Sequence, residues 1–217
     1  MPSPRRCSRL PVSESGVIRA AGEWVVAGPA AVEARRQPGM RQRALFLDRD
    51  GVINVDHGYV HTAEMTEWVP GIFELCKVAL DVGLALVVVT NQAGIGRGYY
   101  DDGQFRDYAR WVHAQFMQRG LPILATYYCP EHPEAVIPAY RNDSGYRKPQ
   151  PGMLLDAARD WNLDLGASLL VGDQPSDIEA ARRAHVGRAF LMGEDRWEDV
   201  AAWMRTMSSR GRDHAPL

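Results

Sequence analysis

Residues 44–51 read Ala44-Leu45-Phe46-Leu47-Asp48-Arg49-Asp50-Gly51, an apolar run that stops abruptly at acid. A short continuous apolar stretch ended by polar turn residues is the pattern of a strand covered on both faces. Two carboxylates at i and i+2 fall on the same side of an extended chain. At a strand end, Asp48 and Asp50 can hold a hard, oxygen-loving cation such as Mg²⁺. Like charges that close also push one pKa up, so one carboxylate stays ionised while the other keeps a proton, as a nucleophile and a general acid require. A solvated acidic turn is the alternative at this spacing.

Outward from this stretch, strands and helices alternate. Pro70 opens a helix whose apolar residues Ile72, Leu75, Cys76, Ala79 and Leu80 share one face, and Gly83 closes it. Leu84–Val89 reads as a second buried strand. A helix from Asp102 to Gly120, a strand over Leu121–Tyr128 and an irregular Pro-rich stretch over 130–151 follow. That stretch is too long for an ordinary connection and is expected to be functional. Helix returns over Met153–Trp161, Ser176–Ala184 and Trp197–Met204, with strands at Ser168–Val171 and Arg188–Leu191. The alternation predicts an α/β fold: a doubly wound, mostly parallel, Rossmann-like sheet with helices on both faces. Only a loop and a helix fit between Asp50 and Thr90, so no separate cap domain is expected. In such folds the site lies at the carboxyl ends of the strands.

The other strand ends carry chemistry too. Thr90-Asn91-Gln92 ends the second strand with groups that donate to phosphate oxygens, and Ala93-Gly94-Ile95-Gly96-Arg97-Gly98 follows. That glycine-rich run matches neither the P-loop nor the dinucleotide fingerprint, and as a phosphate cradle it stands level with an ordinary loop. Arg147-Lys148-Pro149 lies just before a helix, and Lys148 is one of only two lysines, the other being Lys77 on a helix surface. Gly172-Asp173 ends a further strand. Asp177 stands in the first turn of the next helix, where an acid serves the helix dipole as readily as a catalytic role.

In this order the four signals resemble those of the haloacid dehalogenase-like (HAD-like) phosphohydrolase superfamily, over about residues 44–205. Phe46–Gly51 looks like its first motif, Thr90-Asn91 its second, Lys148 its third, and Gly172-Asp173 with Asp177 its fourth. A narrower similarity is to the D-glycero-D-manno-heptose-1,7-bisphosphate 7-phosphatase family. It rests on Asp48–Asn54, Val55–His61, Val89–Gln92 with Gly94 and Arg97-Gly98, Tyr127–Pro130, and Arg147–Pro149 with Pro151-Gly152-Met153.

The resemblance implies a Mg²⁺-dependent phosphoric monoester hydrolase working through an aspartyl-phosphate. Asp48 would be the nucleophile and Asp50 the general acid, then the base. Mg²⁺ would sit on Asp48, the Asp50 carbonyl and Asp173, with Thr90 and Lys148 holding phosphate oxygens. Asp56, His57, Gly58 and Tyr59 would form a loop over the site, and Asn91, Gln92 and Arg147 would reach the sugar or its second phosphate. His57 and His61 are read equally well as plain loop residues. Relatives also resemble histidinol phosphatases, so histidinol phosphate or another small phosphomonoester is the alternative substrate. A catalytically silent ligand- or partner-binding protein is the alternative of another class, and intact Asp48, Asp50, Lys148 and Asp173 speak against it.

The chain departs from this family in two places. Many members are expected to bind a structural zinc through Cys-x-His and a later Cys-x-Cys. Here Cys129 is followed by Glu131, and Ser144 and Tyr146 stand at the later pair. One thiolate falls short of the four ligands such a site takes, so zinc is not expected. Pro130, Pro133 and Pro138, with packing of Ile137, Tyr140 and Tyr146, would order the loop instead. Gln174 follows Asp173 where a lysine is common, which removes one cation, and Arg97 and Arg147 are the candidates to replace it.

Composition sets the limits. The chain has 217 residues, a formal net charge of −2 and 24% charged residues, an ordinary globular make-up with no basic surplus for nucleic acid. Cys7, Cys76 and Cys129 are too few and scattered for a disulfide framework, which suits a reducing cytoplasm. No apolar run reaches the ~20 residues of a membrane-spanning helix. A small phosphorylated sugar or metabolite is the expected partner, with no nucleic acid or membrane, and the sequence leaves the oligomeric state open with a monomer favoured. Residues 1–43 have no clear period and are expected to be a disordered extension, with Met40 a possible translation start. The phosphatase domain would span 44–205 and a flexible tail 206–217.

Overall fold

The structure, a computed structural model, describes residues 24–31 and 41–210. Six strands form one sheet: β1 (Val25–Ala27), β2 (Arg43–Leu47), β3 (Leu84–Asn91), β4 (Ile123–Cys129), β5 (Leu169–Gly172) and β6 (Arg188–Leu191), in the order β1-β4-β3-β2-β5-β6. β2 is central, pairing in parallel with β3 and β5, and Leu47 is level with Val88 on one side and Val171 on the other. Only β1 runs antiparallel, against β4.

The helices are α1 (Ile72–Asp81), α2 (Ala93–Gly96), α3 (Asp102–Gln118), α4 (Gly152–Trp161), α5 (Pro175–Arg183) and α6 (Trp197–Arg210). Side chains of a strand alternate between faces, and both faces here are apolar. Leu45, Leu47, Leu86, Val88 and Val171 enter a core with α1, α3 and α6, while Ala44, Phe46, Val87, Val89 and Leu170 enter another with α4 and α5. That is why these strands read as unbroken hydrophobic runs. α3 starts at a capping box in which the Asp101 carboxylate accepts from the Gln104 amide at 2.7 Å and the Gln104 side chain accepts from the Asp101 amide.

The doubly wound sheet without a separate cap domain is as expected; between β2 and β3 lie only an irregular loop and α1. Two expectations need correction. Val25–Ala27 lies inside the segment read as a disordered extension, yet it is an edge strand with Val25 and Val26 buried. A three-residue strand is too short to show a period, which hid it. The remainder of that segment below residue 24, and residues 32–40, lie outside the described residues. α6 runs to Arg210, past the boundary set at 205, and residues 211–217 lie outside the described residues. The glycine-rich run, left open by the sequence, starts as a short helix, α2, in which Ala93 and Gly94 line a cleft and Gly94 and Gly96 are closely packed. A Cβ on Gly94 would meet the Tyr100 ring at 2.3 Å, and one on Gly96 the Pro130 carbonyl at 2.6 Å. Among the described residues, no helix is long and apolar enough to cross a membrane.

Candidate active site

The chain order leaves β2 in one direction through β3 and β4 and in the other through β5 and β6. The carboxyl end of β2 is therefore the switch point of the sheet, where a crevice opens between diverging loops. A cleft of about 530 Å³ lies there, lined by Asp48, Asp50, Thr90, Lys148 and Asp173 among others.

Asp48 is the first residue past β2, held by its amide donating to the Val171 carbonyl at 2.9 Å. Its carboxylate accepts from the Arg49 amide at 2.7 Å and pairs with the Lys148 ammonium at 2.9 Å. Lys148 is 3% exposed. Its ammonium donates to the Val89 carbonyl at 2.9 Å and also pairs with Asp177 at 2.5 Å. The ammonium thus makes one hydrogen bond, to the Val89 carbonyl, and two ion pairs, to Asp48 and Asp177. Asn91 braces this arm: its side-chain amide donates to the Lys148 carbonyl at 3.1 Å and its oxygen accepts from the Lys148 amide at 3.0 Å.

Burial pushes the Asp48 carboxyl up to about 7, with Lys148 opposing and Asp177 adding to the rise. Burial also works against the Lys148 charge, but Asp48 and Asp177 outweigh it and raise the ammonium's pKa. For Asp50 burial acts upward, yet the Arg49 guanidinium and donors from Asn54 and Gln92 outweigh it and hold the carboxyl below its ordinary value. The two acids are thus pushed in opposite directions, Asp48 up and Asp50 down. The reason is that Asp50 has its own cation. Arg49, 3% exposed, donates to Asp50 at 2.7 Å and to the Val60 carbonyl at 2.7 Å, and lies over the Phe105 and Tyr108 rings.

Asp48, Asp173 and Asp177 bring carboxylate oxygens within 4.8 Å of one another. Three carboxylates face one ammonium, and the Asp173 Oδ1 is buried with no hydrogen-bond partner. The other Asp173 oxygen accepts from the Gln174 amide at 2.9 Å. Gly51, at φ 82, makes this approach possible, since a Cβ there would meet Asp173 at 2.3 Å. The donor set is all oxygen and anionic, the chemistry a hard divalent cation fits. Asp177, left between a dipole role and a catalytic one by its sequence position, is 1% exposed and ion-paired.

Of the predicted substrate contacts, Asp56, Gly58, Tyr59, Asn91, Gln92 and Arg147 line the cleft. His57 is not among the lining residues; its ring meets Glu67 at 2.9 Å on the exposed side of the loop. His61 stacks on Tyr100, centroids 4.4 Å apart. Asn91 is committed to Lys148. Gln92, 2% exposed, donates to Asp50 at 3.2 Å and to Thr90 at 2.9 Å and accepts from the Tyr100 hydroxyl at 2.5 Å. Both amides line the cleft and brace neighbouring side chains, Asn91 at Lys148 and Gln92 at Asp50 and Thr90. Arg49, Asn54 and Tyr100 were given no role by sequence; the spacing of Asn54 four residues after Asp50 was the one local signal.

At the altered loop, Cys129 is fully buried, and burial pushes its thiol up to about 12. Ile137, expected to pack, is 37% exposed. The loop is held by Glu131 and by Tyr146, whose ring meets Trp24 edge-on at 5.7 Å.

The HAD-hydrolase-like family model matches residues 145–202. The chain is 49% identical to a D-glycero-α-D-manno-heptose-1,7-bisphosphate 7-phosphatase of Burkholderia mallei, over 82% of this chain and 94% of that protein. It is 44% identical to the β-anomer 7-phosphatase of Photorhabdus laumondii, over 69% and 79%. A HAD-like phosphatase structure from Mesorhizobium loti matches with TM-score 0.72 and 31% identity, over 85% of this chain and 94% of that one. The D,D-heptose 1,7-bisphosphate phosphatase of B. bronchiseptica, solved with magnesium and phosphate, matches with TM-score 0.62 and 25% identity, over 80% and 99%.

Proposed function

The chain belongs to the heptose-1,7-bisphosphate 7-phosphatase family of HAD-like hydrolases, and from that premise we propose that it removes the 7-phosphate of D-glycero-D-manno-heptose 1,7-bisphosphate through an aspartyl-phosphate at Asp48. The observation that carries this reading is the convergence of Asp48, Lys148, Asp173 and Asp177 on one cleft at the switch point of the sheet.

Asp48 projects a carboxylate oxygen into the cleft and attacks phosphorus, forming the Asp48–phosphorus bond as the bond to the sugar oxygen breaks. Asp50 gives that alkoxide its proton. Arg49 keeps Asp50 ionised in the free enzyme, and the dianionic phosphate arriving beside it raises its pKa, so that it enters the first step protonated. In the second step Asp50 takes a proton from water, the water oxygen bonds to phosphorus, and Asp48 is released with inorganic phosphate. This splits one slow displacement into two. Lys148 and the buried Thr90 hydroxyl steady the phosphoryl oxygens. The Asp48 carboxylate, the Asp50 carbonyl and Asp173 are the groups that would hold Mg²⁺. The bound ion supplies positive charge that lets anionic nucleophile and anionic phosphate meet.

Arg147, on the rim of the cleft, is the cation that serves the second phosphate. Buried, unpaired Cys76 and Cys129 go with a reducing cytoplasm. The test is hydrolysis of heptose 1,7-bisphosphate and histidinol phosphate in parallel with Mg²⁺, followed by phosphorus NMR. Selective loss of the 7-phosphate resonance is expected. Equal, weak turnover of both compounds would move the substrate to another phosphomonoester while keeping the chemistry.

A further inference from the structure

The loop between β4 and α4 holds a buried acid that the reaction above does not use. Glu131 is 2% exposed. Its carboxylate accepts from the Ser144 amide at 3.2 Å and from the Ser144 hydroxyl, and the Cys129 thiol points at the same oxygen from 4.0 Å. A buried carboxylate is costly unless its oxygens are hydrogen-bonded, and here the bonds tie the first turn of the loop to its last. The Glu131 carbonyl meanwhile accepts from the Arg147 guanidinium at 3.2 Å, and Arg147 lines the cleft. One residue therefore closes the loop with its side chain and seats a cleft cation with its backbone.

The same place does not fit a zinc ion. Of the four positions where the family resemblance expects ligands, 144 and 146 carry Ser and Tyr. The Cys129 thiol is held protonated by burial, and the Glu131 oxygen nearest it is committed to Ser144. Among the described residues, the metal-ligating side chains that converge in a group of three are Asp48, Asp173 and Asp177, in the cleft and not here.

We infer that Glu131 is a positioning residue: its carboxylate fastens the 130–147 loop without a metal ion and thereby sets where the Arg147 guanidinium stands. The kinetic consequence rests on the phosphatase reading above; the structural one does not. Glu131→Ala frees both ends of the loop, whereas Glu131→Gln keeps an acceptor for Ser144 and should rescue most of the effect.

The experiment is hydrogen exchange on the full chain, with and without a zinc chelator, joined to steady-state kinetics. Exchange across residues 132–147 should be unchanged by chelator and faster in Glu131→Ala. For heptose 1,7-bisphosphate, Glu131→Ala should raise KM several-fold with kcat within about twofold, the mark of lost uniform binding. Glu131→Ala combined with Arg147→Ala should be no worse than Arg147→Ala alone, because the first acts through the second. Stoichiometric zinc, with chelator loosening the loop, would overturn the inference. So would KM effects that simply multiply in the double variant, or loop exchange unmoved by Glu131→Ala. If the wild-type enzyme turned over no phosphate ester, the functional reading would fall, and the exchange data would still decide the clasp.

Discussion

Lys148 concentrates the physics of this site in one side chain. Its ammonium is buried, donates to the Val89 carbonyl and pairs with the Asp48 and Asp177 carboxylates. Removing one partner of a buried ion pair leaves uncompensated charge, typically costing about 3–5 kcal/mol. Lys148→Met should therefore lose stability of that order in urea unfolding as well as activity. The deficit should shrink as pH falls, because protonating Asp48, whose pKa burial raises, removes part of the charge left unpaired. An equal deficit at every pH would contradict the ion-pair account. Thr90→Ala removes one donor to a charged group, worth about 1.5–3 kcal/mol or roughly 10- to 150-fold. Initial-rate kinetics should show turnover reduced by that factor and not abolished. Asp48, Asp50, Thr90, Lys148 and Asp173 were legible in sequence because each except Lys148 ends an apolar strand, and Lys148 stood out by rarity. Arg49 and Tyr100 were not, since what they do depends on partners from separate segments, the Val60 loop and α3 for Arg49 and Gln92 just past β3 for Tyr100, and Asn54 left only its spacing from Asp50.

At the scale of elements, the five long-range parallel strands and their helices could be read from unbroken apolar runs and helical spacing, and their ends fell within a few residues. The short pieces could not. β1 has three residues and α2 four, below the length at which periodicity exists, and both owe their structure to what covers them. β1 caps the outer edge of β4, so a chain begun at Met40 should expose that edge, melt earlier and aggregate; thermal unfolding with light scattering measures both. A truncated protein that melted and scattered like the full chain would show β1 to be dispensable. α3 offers a separate check. His113, 3% exposed, meets the Thr126 hydroxyl at 2.8 Å across the α3–β4 contact, and burial with Arg110 pushes its pKa down from 6.5 to about 4. Between those values the unfolded chain holds the extra proton. Stability should therefore fall as pH drops through that window, by up to on the order of 3 kcal/mol. His113→Gln should flatten that part of the stability–pH curve; an unchanged slope would assign it to other groups.

For the whole molecule, the sheet order explains why one site exists and where. Strands leaving β2 in opposite directions open the crevice: the end of β2 delivers Asp48 and Asp50 to it, the end of β3 Thr90, the end of β5 Asp173, and the loop before α4 Lys148. With no cap domain, the proposed function leaves selectivity to short loops, the 56–59 turn and the 130–147 segment. The fold therefore separates the two halves of the function, chemistry at the strand ends and substrate choice in the loops. That is why the reaction could be read from sequence more firmly than the sugar. The most direct test of the central claim is phosphate release from heptose 1,7-bisphosphate with Mg²⁺ by the wild-type protein and by Asp48→Asn, with circular dichroism confirming that both are folded. The account predicts one phosphate released per sugar by the wild type and none above background by the variant. A folded Asp48→Asn protein that kept a substantial share of the wild-type rate would contradict covalent catalysis at Asp48.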